Sequence, residues 1–292
     1  TGLMQQSRGR PIFVAATRQH VGKTTVSLAL MSGLKKRFGR VGFIKPVGQQ
    51  HISLTDEQGH TLRVDKDVQV VKEYFDLDHI SYSTMSPVII PKGYTSQYLA
   101  GEITKDEQVE KIIHAYDTQR AASDFVLFEG TGHVGVGSIV ELSNAKAASL
   151  VGADVVLVAN GGLGRAFDEL EMNRNVFAQG ALRWRRVGAR CVNRMVQEGV
   201  AVRGVVLNKV LPNKVDMVRE KMSKLLRERW GVPLLGVVPD LPHLGETDRL
   251  VDWSIDWLTG RIVGGRADGR SVEWLRGRSI GRSAGRLVDW LV

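Results

Sequence analysis

The sequence predicts an α/β fold, in which helices cover both faces of one doubly wound, mostly parallel sheet. Apolar runs of strand length alternate with amphipathic stretches of helix length from residue 11 to residue 239, and this alternation is typical of parallel sheets. The first apolar run leads through a short loop into Gly-Lys-Thr and then into a helix-like stretch. Several later runs end in polar or glycine residues, at the strand ends where such sheets bind ligands.

The first apolar run and the loop after it are the strongest signal in the chain. Residues 12–16 read as a buried strand, and a helix follows Gly22-Lys23-Thr24. Strand, tight loop, Gly-Lys-Thr and helix is the order of a phosphate-binding P-loop, so the sheet is predicted to be of the P-loop NTPase type. Gly22 lets the backbone approach phosphates, Lys23 supplies charge to the β- and γ-phosphates, and the Thr24 hydroxyl can ligate Mg²⁺.

The loop resembles that of dethiobiotin synthetases, Gly-Thr-Asp-Thr-Glu-Val-Gly-Lys-Thr. Residues 16–24 read Ala-Thr-Arg-Gln-His-Val-Gly-Lys-Thr, so the first glycine is alanine, and Arg18 and His20 stand at the acidic positions. The resemblance implies ATP as the nucleotide. The residues that it implies for the nucleotide in this part of the chain are Thr17, Val21, Gly22, Lys23, Thr24 and Thr25.

Lys45 opens a Lys-Pro-Val sequence at the end of the second predicted strand. The family has Lys-Pro-Val at this point, and the resemblance implies that its lysine interacts with the substrate carbamate. From the residues alone, a solvated lysine at a strand end explains the pattern equally well. Residues 51–63 are predicted to be a polar loop before the next helix. The resemblance offers Asp67, or Asp65, as a carboxylate near the metal, and each is equally well explained as a helix cap.

An apolar run at 124–129 delivers Glu129 to a strand end beside the P-loop, where a carboxylate can ligate Mg²⁺ directly or through water. Glu-Gly-Thr-Gly at 129–132 resembles the Glu-Gly-Ala-Gly-Gly of the family, with His133 in place of a glycine. Upstream of it, Thr104 and Glu107 have the spacing of a capping box at the start of a helix predicted over 104–122.

Two later strand ends resemble the edge at which the family binds the nucleotide base. Asn208-Lys209 closes one strand, and Pro239 closes the Gly-Val-Val-Pro end of the last strand. The Asn208 amide can donate and accept hydrogen bonds toward adenine, although asparagine is also a common turn former.

Two segments fit neither the alternation nor the family. Residues 179–198 are predicted to be an insertion, and residues 243–292 a Gly/Arg/Trp-rich tail with poor order; the P-loop nucleotide-binding domain is then 11–242. The formal net charge is +9, and these two segments hold most of the excess arginine. We therefore do not expect a nucleic-acid partner. The alternative is that the Gly/Arg tail binds RNA.

Composition constrains the setting of the protein. No run of about 18 apolar residues is present, so no membrane span is expected. A single cysteine, Cys191, suits a reducing compartment, which favours the cytoplasm, with an organellar matrix or stroma as the alternative. A homodimer is one candidate assembly.

The motifs follow one another in the order found in the superfamily of dethiobiotin synthetases and cobyrinic acid a,c-diamide synthases. The chain looks most like the dethiobiotin-synthetase-like domain at the N-terminus of long phosphotransacetylases. The segments that carry this resemblance are 16–25, 45–47, 129–132, 208–209 and 236–239.

The resemblance implies two classes of function. One is an ATP-dependent cyclo-ligase or amidoligase that activates a carboxyl or carbamate of a small, unidentified carboxylate or amine substrate by phosphoryl transfer. Lys23 and Lys45 would then hold the phosphoryl group, and Thr24, Asp67 and Glu129 the Mg²⁺. The other is a nucleotide-binding regulatory module with slow or no turnover, which the loss of the loop acids favours.

Overall fold

The computed structural model describes residues 9–55, 61–183 and 200–240, and for 178–183 it describes the backbone alone. The predicted tail and residues 184–198 of the predicted insertion lie outside the described residues. Ten strands are found in the described part of the chain. They are β1 (Ile12–Ala16), β2 (Val41–Ile44), β3 (Val47–Gly48), β4 (His51–Thr55), β5 (Thr61–Asp65), β6 (Val88–Ile89), β7 (Phe125–Glu129), β8 (Asp154–Asn160), β9 (Val202–Val210) and β10 (Leu234–Pro239).

The helices fill the intervals between these strands, as the sequence predicts. They are α1 (Lys23–Arg37), α2 (Lys66–Tyr74), α3 (Tyr82–Met85), α4 (Tyr94–Leu99), α5 (Lys105–Ala122), α6 (Asn144–Leu150), α7 (Gly164–Arg183) and α8 (Val215–Trp230). Helix α7 runs to Arg183, so the first five residues of the predicted insertion, 179–183, continue this helix. None of these described helices combines the length and apolar character that a membrane crossing requires.

Six strands form the central sheet in the order β10-β9-β8-β1-β7-β2, and all of its strand pairs are parallel. The predicted doubly wound parallel sheet is thereby confirmed. Strands β1 and β7 are neighbours, with Val14 opposite Glu129. Because all six strands run the same way, their carboxyl ends meet along one edge of the sheet, and the sequence motifs collect there.

Both faces of the sheet are largely covered by helices, which explains why its strands are mainly apolar. Along β1, Ile12 and Val14 join a cluster with residues of α1 and α2 on one face. Phe13 and Ala15 join a second cluster with residues of α5, α6, α7 and α8 on the other face. The alternation of side chains along a strand therefore assigns successive β1 residues to two separate cores.

The prediction of a polar loop over 51–63 is wrong. Strands β4 and β5 pair antiparallel, with Ile52 opposite Val64 and Leu54 opposite Leu62. Apolar residues alternate with polar ones in both segments, and this period of two residues is the pattern of a strand with one half-buried face. The hairpin begins shortly after Lys45 and ends directly before α2.

Candidate nucleotide site

The P-loop, residues 16–24, joins β1 to α1 and folds tightly at its glycine. Gly22 has a left-handed φ of 88° and forms the N-cap of α1 without a side-chain hydrogen bond. A Cβ at this position would collide with the Asn208 side-chain amide, so glycine is required both for the backbone angle and for the space. The first turn of α1 carries no acidic residue, which leaves its N–H groups open to an anion.

The carboxyl end of β9 supports the outer part of the P-loop. The Asn208 side-chain amide donates to the carbonyl of Val21 at 2.8 Å, and the Lys209 ammonium donates to the carbonyl of His20 at 2.9 Å. Asn208 is thus placed against the P-loop rather than in an isolated turn. Pro239, at the end of the neighbouring β10, pairs in register with Val210.

Lys23 and Thr24 both contact strand β7 or the loop after it. The Lys23 ammonium donates to the carbonyl of Gly132 at 2.8 Å, and burial lowers its pKa below the ordinary value although Glu129 and Asp67 act in the opposite direction. The Thr24 hydroxyl donates to Glu129 Oε1 at 3.0 Å. The Thr24 hydroxyl therefore joins the P-loop to the end of β7, and the Lys23 ammonium joins it to the loop after β7.

Lys45 lies in a buried cluster of charges. Its ammonium is 2.8 Å from Asp65 Oδ1 and 3.8 Å from Glu129 Oε1, and it also forms an ion pair with Asp67. Desolvation lowers the pKa of Lys45, but the charges of Glu129, Asp67 and Asp65 outweigh it and raise the pKa above the ordinary value. Lys45 is therefore a buried, charged lysine and not a solvated one.

The two aspartates that the sequence left undecided have different positions. Asp65 is the N-cap of α2, because its side chain accepts from the backbone N–H of Asp67 at 3.1 Å, and it binds Lys45 as well. Asp67 lies in the first turn of α2 and extends its carboxylate to Lys45. The sequence motifs at 45, 65–67 and 129 thus come together in one cluster.

The residues of this cluster suit a Mg²⁺ ion that is shared with phosphates. Glu129 Oε2 is buried and meets no hydrogen-bond criterion with a side chain or backbone group in the part of the chain that the structure describes. Burial raises the pKa of this carboxyl, although Lys45 and the Ser27 hydroxyl lower it. No group of three or more His, Cys, Asp and Glu side chains in the described residues could hold a metal ion. Mg²⁺ usually takes only one or two carboxylates, with phosphates and water as its other ligands, so Thr24 and Glu129 fit it.

Sequence reasoning missed the polar residues that hold the P-loop and the 130–134 loop from behind. Asn144 binds the carbonyls of Thr131 and His133, both at 2.7 Å. Asn173 and Glu169 on α7 bind Thr17. Of these residues, Asn173 alone has a signal in the sequence, because it shares the buried side of a helix with Leu170 and Phe177.

The family follows from a comparison with known domains. A family model described as an AAA domain matches residues 10–248. The chain belongs to this AAA-domain family. The match includes every motif described above, from the P-loop to the end of β10.

This AAA-domain chain is similar to proteins of two kinds, which confirms the resemblance seen in the motifs. It is 27% identical over 243 residues to an ATP-dependent dethiobiotin synthetase of Clostridium perfringens, a match that covers 81% of this chain and 93% of that protein. It is 28% identical over 244 residues to a phosphate acetyltransferase of Pseudomonas putida, which covers 80% of this chain and 30% of that protein.

Solved structures also match the chain at low identity. The MinD cell division protein of Aquifex aeolicus has a TM-score of 0.47 and 13% identity, with 97% of each chain covered. A plasmid partition protein of Borrelia burgdorferi bound to AMPPNP has a TM-score of 0.48 and 11% identity, with 97% of this chain and 98% of that chain covered.

Proposed function

We propose that this protein binds ATP with Mg²⁺ at the P-loop and acts as a nucleotide-binding regulatory module with slow or no turnover. The observation that carries the proposal is the N-terminus of α1, which no side chain caps, with Lys23 and Thr24 in its first turn beside the buried carboxylate of Glu129. A nucleoside triphosphate is bound by this sequence of groups: backbone N–H groups, a lysine and a metal-binding hydroxyl.

Each residue of the site has a role in this proposal. Lys23 turns from the Gly132 carbonyl to the β- and γ-phosphates, and the N–H groups after Gly22 surround them. Thr24 and Glu129, with Asp67, hold the Mg²⁺, which supplies charge neutralisation to the phosphates when bound. Thr17, Val21 and Thr25 shape the phosphate pocket, and Asn208 and Pro239 form the edge that receives the base.

Slow turnover is supported by the composition of the P-loop. Arg18 and His20 occupy the positions at which dethiobiotin synthetases have acids, so neither offers a carboxylate to a metal or a substrate amine. Arg18 lies 3.6 Å from Glu169, and the carbonyl of His20 is held by Lys209. Both positions are occupied by contacts within the protein.

The test of nucleotide binding is Lys23→Ala. The substitution removes a charge-assisted contact that contributes about 1.5–3 kcal/mol, so the ATP affinity in Mg²⁺ is expected to fall at least about tenfold by calorimetry. Lys36→Ala, at the exposed far end of α1, is the matched control and should bind ATP like the parent protein. Equal affinities for the parent and Lys23→Ala would contradict the proposal.

A second candidate is an ATP-dependent ligase, and the observation that favours it is Lys45. A charged lysine at a strand end, in the charge cluster that also influences Lys23, suits an enzyme that places a substrate anion against the γ-phosphate. The dethiobiotin synthetase matched above is covered along 93% of its length, which supports the same possibility. The regulatory proposal and the ligase share the ATP site and differ in whether a product forms.

A product assay separates the two functions. With ATP, Mg²⁺, diaminopelargonate and bicarbonate, we expect slow ATP hydrolysis and no dethiobiotin by mass spectrometry. Dethiobiotin that forms with the parent protein and disappears in Lys45→Ala would establish the ligase and reject the regulatory module.

A further inference from the structure

Helix α7 carries a buried asparagine that joins the two loops of the nucleotide site. Asn173 is 8% exposed and lies on the core-facing side of α7 with Leu170 and Phe177. Its Nδ2 donates to the carbonyl of Thr17 at 3.2 Å, and its Oδ1 accepts from the N–H of Val134 at 3.4 Å. A single side chain therefore spans the start of the P-loop and the end of the 130–134 loop.

One turn earlier on the same helix, Glu169 holds the side chains of the P-loop. Its Oε2 accepts from the Thr17 hydroxyl at 3.1 Å and lies 3.6 Å from Arg18 Nε. Its other oxygen accepts from Arg165 at 3.0 Å, also on α7. Thr17 is thus fixed by α7 through both its carbonyl and its hydroxyl, more than 150 residues away in the chain.

The 130–134 loop is also held by Lys23, the residue proposed to turn toward the phosphates. Lys23 donates to the carbonyl of Gly132 at 2.8 Å. If Lys23 turns to the phosphates, Gly132 loses this donor, and the loop is then fastened by Asn144 at Thr131 and His133 and by Asn173 at Val134. In the nucleotide-bound state, the contact from α7 would therefore provide a larger share of the support of the 130–134 loop.

We propose that Asn173 and Glu169 are positioning residues. Asn173 fixes the distance between the P-loop and the 130–134 loop, and Glu169 fixes Thr17 within the P-loop, as phosphate binding requires. The proposal rests on the proposed ATP site. In the proposed site, neither residue would contact the phosphates. Each acts through Thr17 or Val134, and a misplacement of the P-loop backbone by a fraction of an ångström weakens every N–H contact to the phosphates.

The first test uses Asn173→Ala and Asn173→Asp, with Met172→Ala as the matched control at the neighbouring position of α7, where the side chain is 67% exposed. Binding of ATP, ADP and AMP in Mg²⁺ is measured by calorimetry or by displacement of a fluorescent nucleotide. Both Asn173 variants should weaken ATP about tenfold, because a buried carbonyl or N–H group loses its partner. AMP, which makes fewer phosphate contacts, should be weakened much less, and Met172→Ala should match the parent.

The ratio of AMP to ATP affinity distinguishes positioning from a general loss of structure. If Asn173 only stabilised the fold, its substitution would lower the melting temperature. It would then change the affinities of the folded protein for ATP, ADP and AMP by the same factor. If this ratio is unchanged in both Asn173 variants, the inference is wrong. If the parent protein itself does not bind ATP, the proposed function fails instead, so the two failures are distinguishable.

Glu169 gives a second test that does not disturb the core, since its side chain is on the partly exposed side of α7. Glu169→Gln keeps an oxygen that can accept from the Thr17 hydroxyl, whereas Glu169→Ala removes it. We expect Glu169→Ala to weaken ATP about fivefold and Glu169→Gln to restore most of this loss. Equal ATP affinities for the parent and Glu169→Ala would overturn the role of Glu169, and this part of the inference is tested even if the Asn173 variants do not fold.

Discussion

Glu129 has to satisfy several opposing requirements at the end of β7. It is 1% exposed, and burial raises the pKa of its carboxyl although Lys45 and Lys23 lower it. One oxygen accepts from Thr24. The other is buried and accepts no well-formed hydrogen bond among the residues that the structure describes, although the Ser27 hydroxyl lowers the pKa of the carboxyl. A metal ion that coordinates this buried oxygen would therefore give it a stronger partner than the described residues supply.

Glu129→Gln tests whether this carboxylate serves a metal. The substitution keeps the shape and one acceptor for Thr24 but removes the negative charge, so ATP affinity should fall about tenfold or more in Mg²⁺ and change little in EDTA. Glu110→Gln, an exposed position on α5, is the control for the loss of one acid. Calorimetry in both buffers decides the question: the same loss with and without Mg²⁺ would assign Glu129 a structural role.

The residues that the sequence identified at this site are those with a local signature. Gly22, Lys23 and Thr24 stand in a short motif between a strand and a helix, and Glu129 directly follows an apolar run. Asn173 has no such signature, because its partner Thr17 is 156 residues away. Contacts of this kind arise from the packing of α7 against the P-loop, which no local pattern contains.

At the scale of elements, a strand could be predicted from the sequence where a single hydrophobicity pattern ran through its whole segment. The strands of the central sheet are mainly apolar and are bounded by turn residues, so their existence and their succession along the chain could be predicted. The β4–β5 hairpin alternates apolar and polar residues, and its exposed polar side chains resemble those of a loop. For the same reason, the ion pairs from Asp65 and Asp67 to Lys45 were not predicted, since the hairpin brings these residues together; the family resemblance indicated only a carboxylate near the metal.

The capping box of α5 is an element whose contribution can be measured directly. The Thr104 hydroxyl accepts from the N–H of Glu107 at 3.2 Å, and the Glu107 carboxylate accepts from the N–H of Thr104 at 2.9 Å. Thr104→Ala should therefore lower the free energy of unfolding by about 1 kcal/mol.

Thr118→Ala is the matched control for this prediction, since it removes the same atoms from an exposed interior position of α5. It should be neutral or stabilise by up to about 0.7 kcal/mol, because alanine is the better helix former. Urea denaturation measures both values. Equal effects of the two substitutions would show that the capping box does not stabilise α5.

At the scale of the whole molecule, the nucleotide site is assembled from strand ends spread between β1 and β10. The P-loop contacts β7 through Thr24 and β9 through Val21, and α7 crosses behind it. The AAA-domain match, residues 10–248, covers this whole set. The excess of arginine lies largely outside these elements, so the net charge of +9 describes the appended segments more than the nucleotide site.

We therefore predict that the tail is dispensable for nucleotide binding. A chain that ends at Asp248, where the family match ends, should keep the ATP affinity of the full chain within about twofold and unfold in one cooperative transition. The reason is that every contact described for the P-loop comes from residues between 17 and 209. Calorimetry and thermal unfolding of both chains are compared, with Lys23→Ala in the shortened chain as the control for site-specific binding. A shortened chain that is insoluble, or that no longer binds ATP while the full chain does, would show that residues 249–292 belong to the folded domain.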